Sequence, residues 1–214
     1  MARLLVTLMA IYALGLTLTT SASASQGSCG TQLTRIANSR MVSAESLDQN
    51  LFNTAVLYYV NIERCNRGLS PLRSDNKLIR ATSQHSRHMA SNAYVSHKSQ
   101  QSGYRNLQDR LSKARVNYRV AGENVIKSFV FAFNRQAVGG DRANCQFSYA
   151  SNGNPVPRHT YDTLAKGMVA LWMSSSTHRK NILHRDFRRA GATFGVDVDP
   201  NYCGTVYAAQ NFAN

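Results

Sequence analysis

Two runs near the C-terminus constrain the fold most. Ala192, Phe194, Val196 and Val198 alternate with Thr193, Gly195 and Asp197, and after the turn Asp199-Pro200-Asn201 a period of two resumes at Val206, Ala208, Gln210 and Phe212. Successive side chains of a strand leave on opposite faces, so the pattern predicts a β-hairpin closing the chain.

Ahead of the hairpin the period becomes helical. Ser46-Leu47-Asp48-Gln49 has the form of a capping box, and Phe52, Ala55, Val56, Tyr59, Val60 and Ile62 recur at helical spacing until Gly68 supplies a C-cap. Ser74 or Asp75 starts a second helix with the stripe Leu78, Ala81, His85 and Met89, ending near Asn92. His85 and His88 lie on that helix as packed or surface histidines. A short helix is expected over 107–113, and Thr160 caps a third long one striped by Leu164, Met168, Leu171 and Trp172. Glu123 stands between Gly122 and Asn124, just before Val125 and Ile126, which suggests a strand entered through a close-approach position. In Ser174-Ser175-Ser176-Thr177-His178, Ser176 or Thr177 can cap a further helix that carries His178 in its first turn. His97 follows Ser96 in a loop, where binding groups concentrate.

Met1-Ala2-Arg3, an apolar run to about residue 18 and the small-residue stretch Ser21-Ala22-Ser23-Ala24 read as a secretory signal peptide over residues 1–24. No other stretch reaches the roughly eighteen apolar residues of a membrane span. The expected product is a single exported domain, secreted or periplasmic: an extended lead-in over 25–45, then a domain over 46–214. Within that domain, about 127–158 reads as an irregular insertion broken by Gly139-Gly140, Asn152-Gly153-Asn154 and Pro155-Val156-Pro157. Cys29, Cys65, Cys145 and Cys203 form no C-x-x-C pair, so in an oxidising compartment two disulfides are expected rather than a metal cluster. Three connectivities are open, of which Cys29 with Cys65 and Cys145 with Cys203 is favoured. The net charge of +14, of which the leader holds only Arg3, favours anionic surroundings.

The order of these pieces resembles the CAP superfamily of cysteine-rich secretory, antigen 5 and pathogenesis-related proteins, in particular its bacterial SCP-like extracellular branch. The resemblance rests on Gly68-Leu69-Ser70-Pro71-Leu72, Ser96-His97, Gly122-Glu123-Asn124, Trp172 followed by the serine run, His178-Arg179-Lys180-Asn181-Ile182-Leu183, and Gln210-Asn211-Phe212. It implies an α+β fold, a three-layer α-β-α sandwich with a central antiparallel sheet and a cleft holding two histidines and two acids. By position His97 and His178 match the histidines and Glu123 the first acid, while Ser175 stands where the second acid belongs.

Two neutral imidazoles and one carboxylate suit zinc with a position open for water. The alternative is that Glu123 and the histidines hydrogen-bond one another and tie helix to sheet. Ser175, Arg179 and Lys180 are the candidate ligand contacts, with Arg185, Arg188 and Arg189 either guiding an anion or forming a solvated face. The chain has no G-x-S-x-G, H-E-x-x-H or G-x-x-x-x-G-K-S/T fingerprint. The expected function is a monomeric, non-catalytic binding module for an amphipathic or anionic envelope component or lipid. The competing one is a metal-dependent hydrolase of peptide or cell-wall substrates with Glu123 as general base. Nucleic acid is not expected as a partner, because no binding motif accompanies the charge.

Overall fold

A computed structural model describes Cys29 and residues 35–214. The expected signal peptide lies outside the described residues. The chain runs α1 (Arg35–Ser39), α2 (Gln49–Cys65), β1 (Arg73–Ser74), α3 (Asn76–Ser91), α4 (Leu107–Lys113), β2 (Ala121–Phe129), β3 (Val138–Asp141), β4 (Gln146–Tyr149), α5 (Tyr161–Ser174), α6 (Ser176–Ile182), β5 (Arg189–Asp197) and β6 (Thr205–Ala213).

The closing hairpin forms the centre of a four-stranded sheet in the order β1-β5-β6-β2. β6 is antiparallel to both long neighbours, pairing Ala213 with Ala121 and with Arg189 and keeping register to Thr205. The two-residue β1 joins β5 in parallel, the one departure from an antiparallel sheet. All nine residues of β6 are buried, because helices cover both faces of the sheet. On one face Ala190, Ala192, Phe194, Ala208 and Phe212 join Phe52, Val56, Leu164 and Trp172 in the main core. On the other, α3 lies almost directly on β5. A Cβ at Gly191 would stand 2.5 Å from Ile79 N, and one at Gly195 would stand 2.7 Å from Ser86 O. Between them Thr193 Oγ1 meets Ser86 Oγ at 3.0 Å, so two missing side chains and one hydroxyl pair set the α3–sheet distance.

The helix ends follow local chemistry. Asp48, rather than Ser46, caps α2 by accepting from Leu51 N. At its other end Gly68 takes φ +70°, and Leu69 N donates to Arg64 O while Gly68 N donates to Cys65 O, a Schellman closure. Asp75 caps α3, Asn106 caps α4 and Thr160 caps α5. The stripe of α3 is buried as its spacing predicts, whereas Leu171 of α5 is only half-buried.

The disulfides are Cys29–Cys65 and Cys145–Cys203. Three expectations change. The lead-in is not wholly extended, since Arg35–Ser39 is helical and packs against α5. The 127–158 segment is less irregular than its breakers suggest: β2 runs on to Phe129, and β3 and β4 form a hairpin. Its small core is aromatic, with Phe147 making edge contacts to Phe131 and Phe133 and Phe129 meeting Tyr202, and Cys145 ties it to the β5–β6 loop. Val198 has left the strand and is exposed, because β5 ends at Asp197. No helix among the described residues is long and apolar enough to cross a membrane.

Candidate functional site

β2 is an edge strand, and the candidate site lies along it. Glu123 leaves β2 on the α3 face, as its register partner Asn211 does, and the next residue, Asn124, leaves on the α6 face. Consecutive residues of one strand thus reach into both helical layers.

Glu123 is buried, its side chain 3% exposed, and is met there by Arg110 of α4. Leu107, Arg110, Leu111 and Ala114 are spaced three and four apart, so the packing that buries Leu111 and Ala114 carries Arg110 in with them. Arg110 Nη2 donates to Glu123 Oε1 at 2.8 Å and Oε2 at 2.7 Å, and also to His97 O, while Nη1 donates to Tyr104 O. His97 Nδ1 lies 3.0 Å from Glu123 Oε1. A carboxylate only accepts, so Nδ1–H is the donor in either charge state of the ring, which is half-exposed.

A third histidine approaches the same carboxylate. His85 of α3 is 1% exposed, with Nε2 2.7 Å from Ser96 O and 3.9 Å from Glu123 Oε1. Burial pushes its pKa down to about 4, the Arg110 charge adding to this and the Glu123 charge opposing it. The ring is therefore neutral at pH 7, donating Nε2–H to the Ser96 carbonyl, and its Nδ1 is a buried acceptor without a partner among the described residues. His178 sits half-buried on α6 and is held below the ordinary histidine range by burial and then by the nearby His97.

α6 is fixed to the strand by amides. Asn124 Nδ2 donates to His178 O, and Asn181 Nδ2 donates both to Asn124 Oδ1 and to Glu123 O. Gly122 leaves room for this, since a Cβ there would stand 3.0 Å from both Asn181 Oδ1 and the Phe187 ring. Ser175 caps α6 one residue earlier than expected and makes no side-chain capping bond. Arg179 donates to Met173 O at the end of α5, and Lys180 is exposed. The structure therefore brings together His97, Glu123 and His178, and adds Arg110 and His85, which the sequence reading did not place in the site.

The donor set does not fit zinc as it stands. Both Glu123 oxygens accept from one guanidinium nitrogen, so the charge a cation would need is already compensated by Arg110. Among the described residues no group of three His, Cys, Asp or Glu side chains is arranged to hold a metal ion. What the arrangement offers is a half-exposed imidazole with one nitrogen fixed by Glu123, beside a second imidazole whose neutral form is favoured.

His85 makes stability pH-dependent. A histidine whose folded pKa is depressed binds fewer protons in the folded state, so stability is complete above the unfolded pKa of ~6.5 and falls as pH drops toward 4. His178 and His159, both held low by burial, act in the same direction. Urea unfolding is expected to show a loss of about 3 kcal/mol between pH 7 and pH 4, roughly 1.4 kcal/mol per unit of His85 shift. His85→Gln should flatten that slope, and an equally steep slope in the variant would remove His85 as its source.

An α-β-α sandwich whose edge strand presents a buried acid between histidines from two layers defines a recognisable class of domain. The chain belongs to the cysteine-rich secretory protein family, whose model matches residues 57–212 and so spans every residue of the site. It is 28% identical over 147 residues to the uncharacterized membrane protein YlbC of Bacillus subtilis strain 168, covering 69% of this chain and 31% of that one. To the uncharacterized protein YkwD of the same organism it is 26% identical over 143 residues, covering 67% and 42%. The chain thus spans less than half the length of these relatives. Among solved structures it is similar to an SCP-domain extracellular protein of Bacillus anthracis, at 24% identity and TM-score 0.50, covering 78% of this chain and 41% of that one. An outer surface protein of Borrelia burgdorferi shares the fold at 12% identity and TM-score 0.52, covering 78% and 96%.

Proposed function

We propose that this domain is an exported binding module for an amphipathic or anionic component of the cell envelope. The observation that carries the reading is the engagement of Glu123: with Arg110 on both oxygens and His97 on one, the carboxylate is committed to partners within the protein, which disfavours it as a general base. Ser175, where the family's second acid would stand, supplies no replacement. The basic chain, two disulfides and an extracellular relative from Bacillus anthracis support export and an anionic partner.

The competing reading is a metal-dependent hydrolase. Zinc at His97, His178 and Glu123 would require Arg110 to release the carboxylate first. One purified sample divided between two assays separates the readings. Retention on isolated envelopes and anionic vesicles that weakens at high salt, with no turnover of peptide, ester or peptidoglycan substrates with or without Zn²⁺, is the expected result. Metal-dependent turnover that disappears in Glu123→Gln would overturn it, whereas zinc binding by calorimetry that is lost in the His97→Ala, His178→Ala double variant, without turnover, would make the cleft a metal site within the binding module.

A further inference from the structure

A pocket of about 300 Å³ lies between α3 and α4, lined by Arg80, Ser83, Arg87, Tyr104, Arg110 and Lys113 among others. Its nine lining residues include four cations and no carboxylate. Arg80, Ser83, Gln84 and Arg87 recur at the three- and four-residue spacing of one helix face, and Arg110, Lys113 and Ala114 do the same on α4, so facing helices contribute the charge. Among the described residues Arg80, Arg87 and Lys113 make no ion pair. Arg110 is fully buried, and while its two terminal nitrogens are taken up by Tyr104, His97 and Glu123, its Nε–H has no acceptor among the described residues. A buried guanidinium N–H without a partner is costly and points to an acceptor supplied from outside the chain.

We infer that this pocket binds a phosphate group. Three exposed cations would surround the oxyanion, and Arg110, which lines the same pocket, would donate its Nε–H once the side chains that now seal that atom part; a volume at the small end for ligand sites suits a compact anion better than a large apolar ligand. The phosphate can be free or can belong to a lipid headgroup, since both present the same oxygens. The site shares only Arg110 with the histidine cleft, and the residues varied to test it lie outside that cleft, so its failure leaves the envelope reading standing, and failure of envelope retention leaves the site standing.

The test is titration of the full chain with inorganic phosphate, followed by calorimetry and by the arginine Nε–H resonances. Wild type should show saturable binding with a shift of the Arg110 Nε–H signal. Arg87→Ser with Lys113→Ser, both exposed and safe for folding, should weaken binding by about tenfold or more, as loss of two charge-assisted bonds implies. Arg135→Ser with Arg142→Ser, on the distant insertion, should leave it unchanged. Absence of saturation, a loss within about twofold in the pocket variant, or an equal loss in the control would overturn the inference. Co-sedimentation with phosphatidylglycerol vesicles then assigns the source. Parallel loss of vesicle binding in the pocket variant identifies a lipid headgroup, and retained vesicle binding with lost phosphate binding identifies a soluble phosphate; either supports the site.

Discussion

Replacing Arg110 by leucine is expected to lower the unfolding free energy by about 3–5 kcal/mol, the usual cost of removing one partner of a buried ion pair. Glu123 would keep its His97 contact but lose both guanidinium bonds, leaving a charge that is 3% exposed without compensation. For a domain of this size the melting temperature should fall by about 10 °C. Removing the charge as well, with Arg110→Leu and Glu123→Leu together, should recover most of the loss, because a buried pair replaced by apolar side chains is often close to neutral. Urea melts of the two variants at pH 7 check this. A single variant within 1 kcal/mol of wild type, or a double variant worse than the single, would show that the pair does not carry the stability assigned to it.

Arg64 is expected to come next. The chain buries it completely at the end of α2 without any carboxylate, and its guanidinium donates to Ser70 O, Ile182 O, His184 O and Phe187 O. Burial and then the Arg188 charge lower its pKa to about 10, so it stays protonated at neutral pH. Three separate pieces converge on it: the turn after α2, the end of α6 and the loop entering β5. Arg64→Met should cost about 4 kcal/mol, since several buried carbonyls lose a charged donor together. Arg64→Lys should recover little, as an ammonium cannot reproduce the planar fork. Hydrogen exchange supplies the specific readout: amides of 183–188 should lose protection in Arg64→Met beyond the global loss of stability. Uniform loss across the chain would mean that Arg64 does not pin this loop in particular.

Both arginines show where sequence reading reaches its limit. The stripe of α2 continues from Val56 and Val60 to Arg64, and the stripe of α4 contains Arg110 between Leu107 and Leu111, so the periodicity that located the helices also marked these positions as inward-facing. The stripe alone does not reveal them as buried, because a charged residue in a stripe ordinarily marks its solvent edge, and its burial is tolerated only once distant carbonyls or a carboxylate are in place. The starts of α3 and α5 are legible because their caps, Asp75 and Thr160, are local chemistry. His97, Glu123 and His178 were legible as an ordered set of motifs, but their partners were not, since nothing local links α4 to β2. The stripe of α3 places His85 inside, and only the fold shows that its ring comes within 3.9 Å of Glu123. In the insertion, Gly139-Gly140 lies in a hairpin whose Phe147 packs on Phe131 and Phe133 and whose Cys145 is bonded to Cys203, partners that all lie outside the hairpin and that no local pattern announces.

The amides that fasten α6 to β2 have a consequence for how the protein behaves among its own copies. An edge strand with outward carbonyls is a template on which a strand of another molecule can add. Along β2 the Glu123 carbonyl is already taken by Asn181 Nδ2 and the Val125 carbonyl faces Trp172 Nε1 at 3.4 Å. The opposite edge is β1, only two residues long and offering almost nothing to pair with. The Glu123–Val125 stretch of the β2 border is therefore closed to strand addition, so side chains that shape the cleft also shield that part of the sheet edge from other copies of the chain.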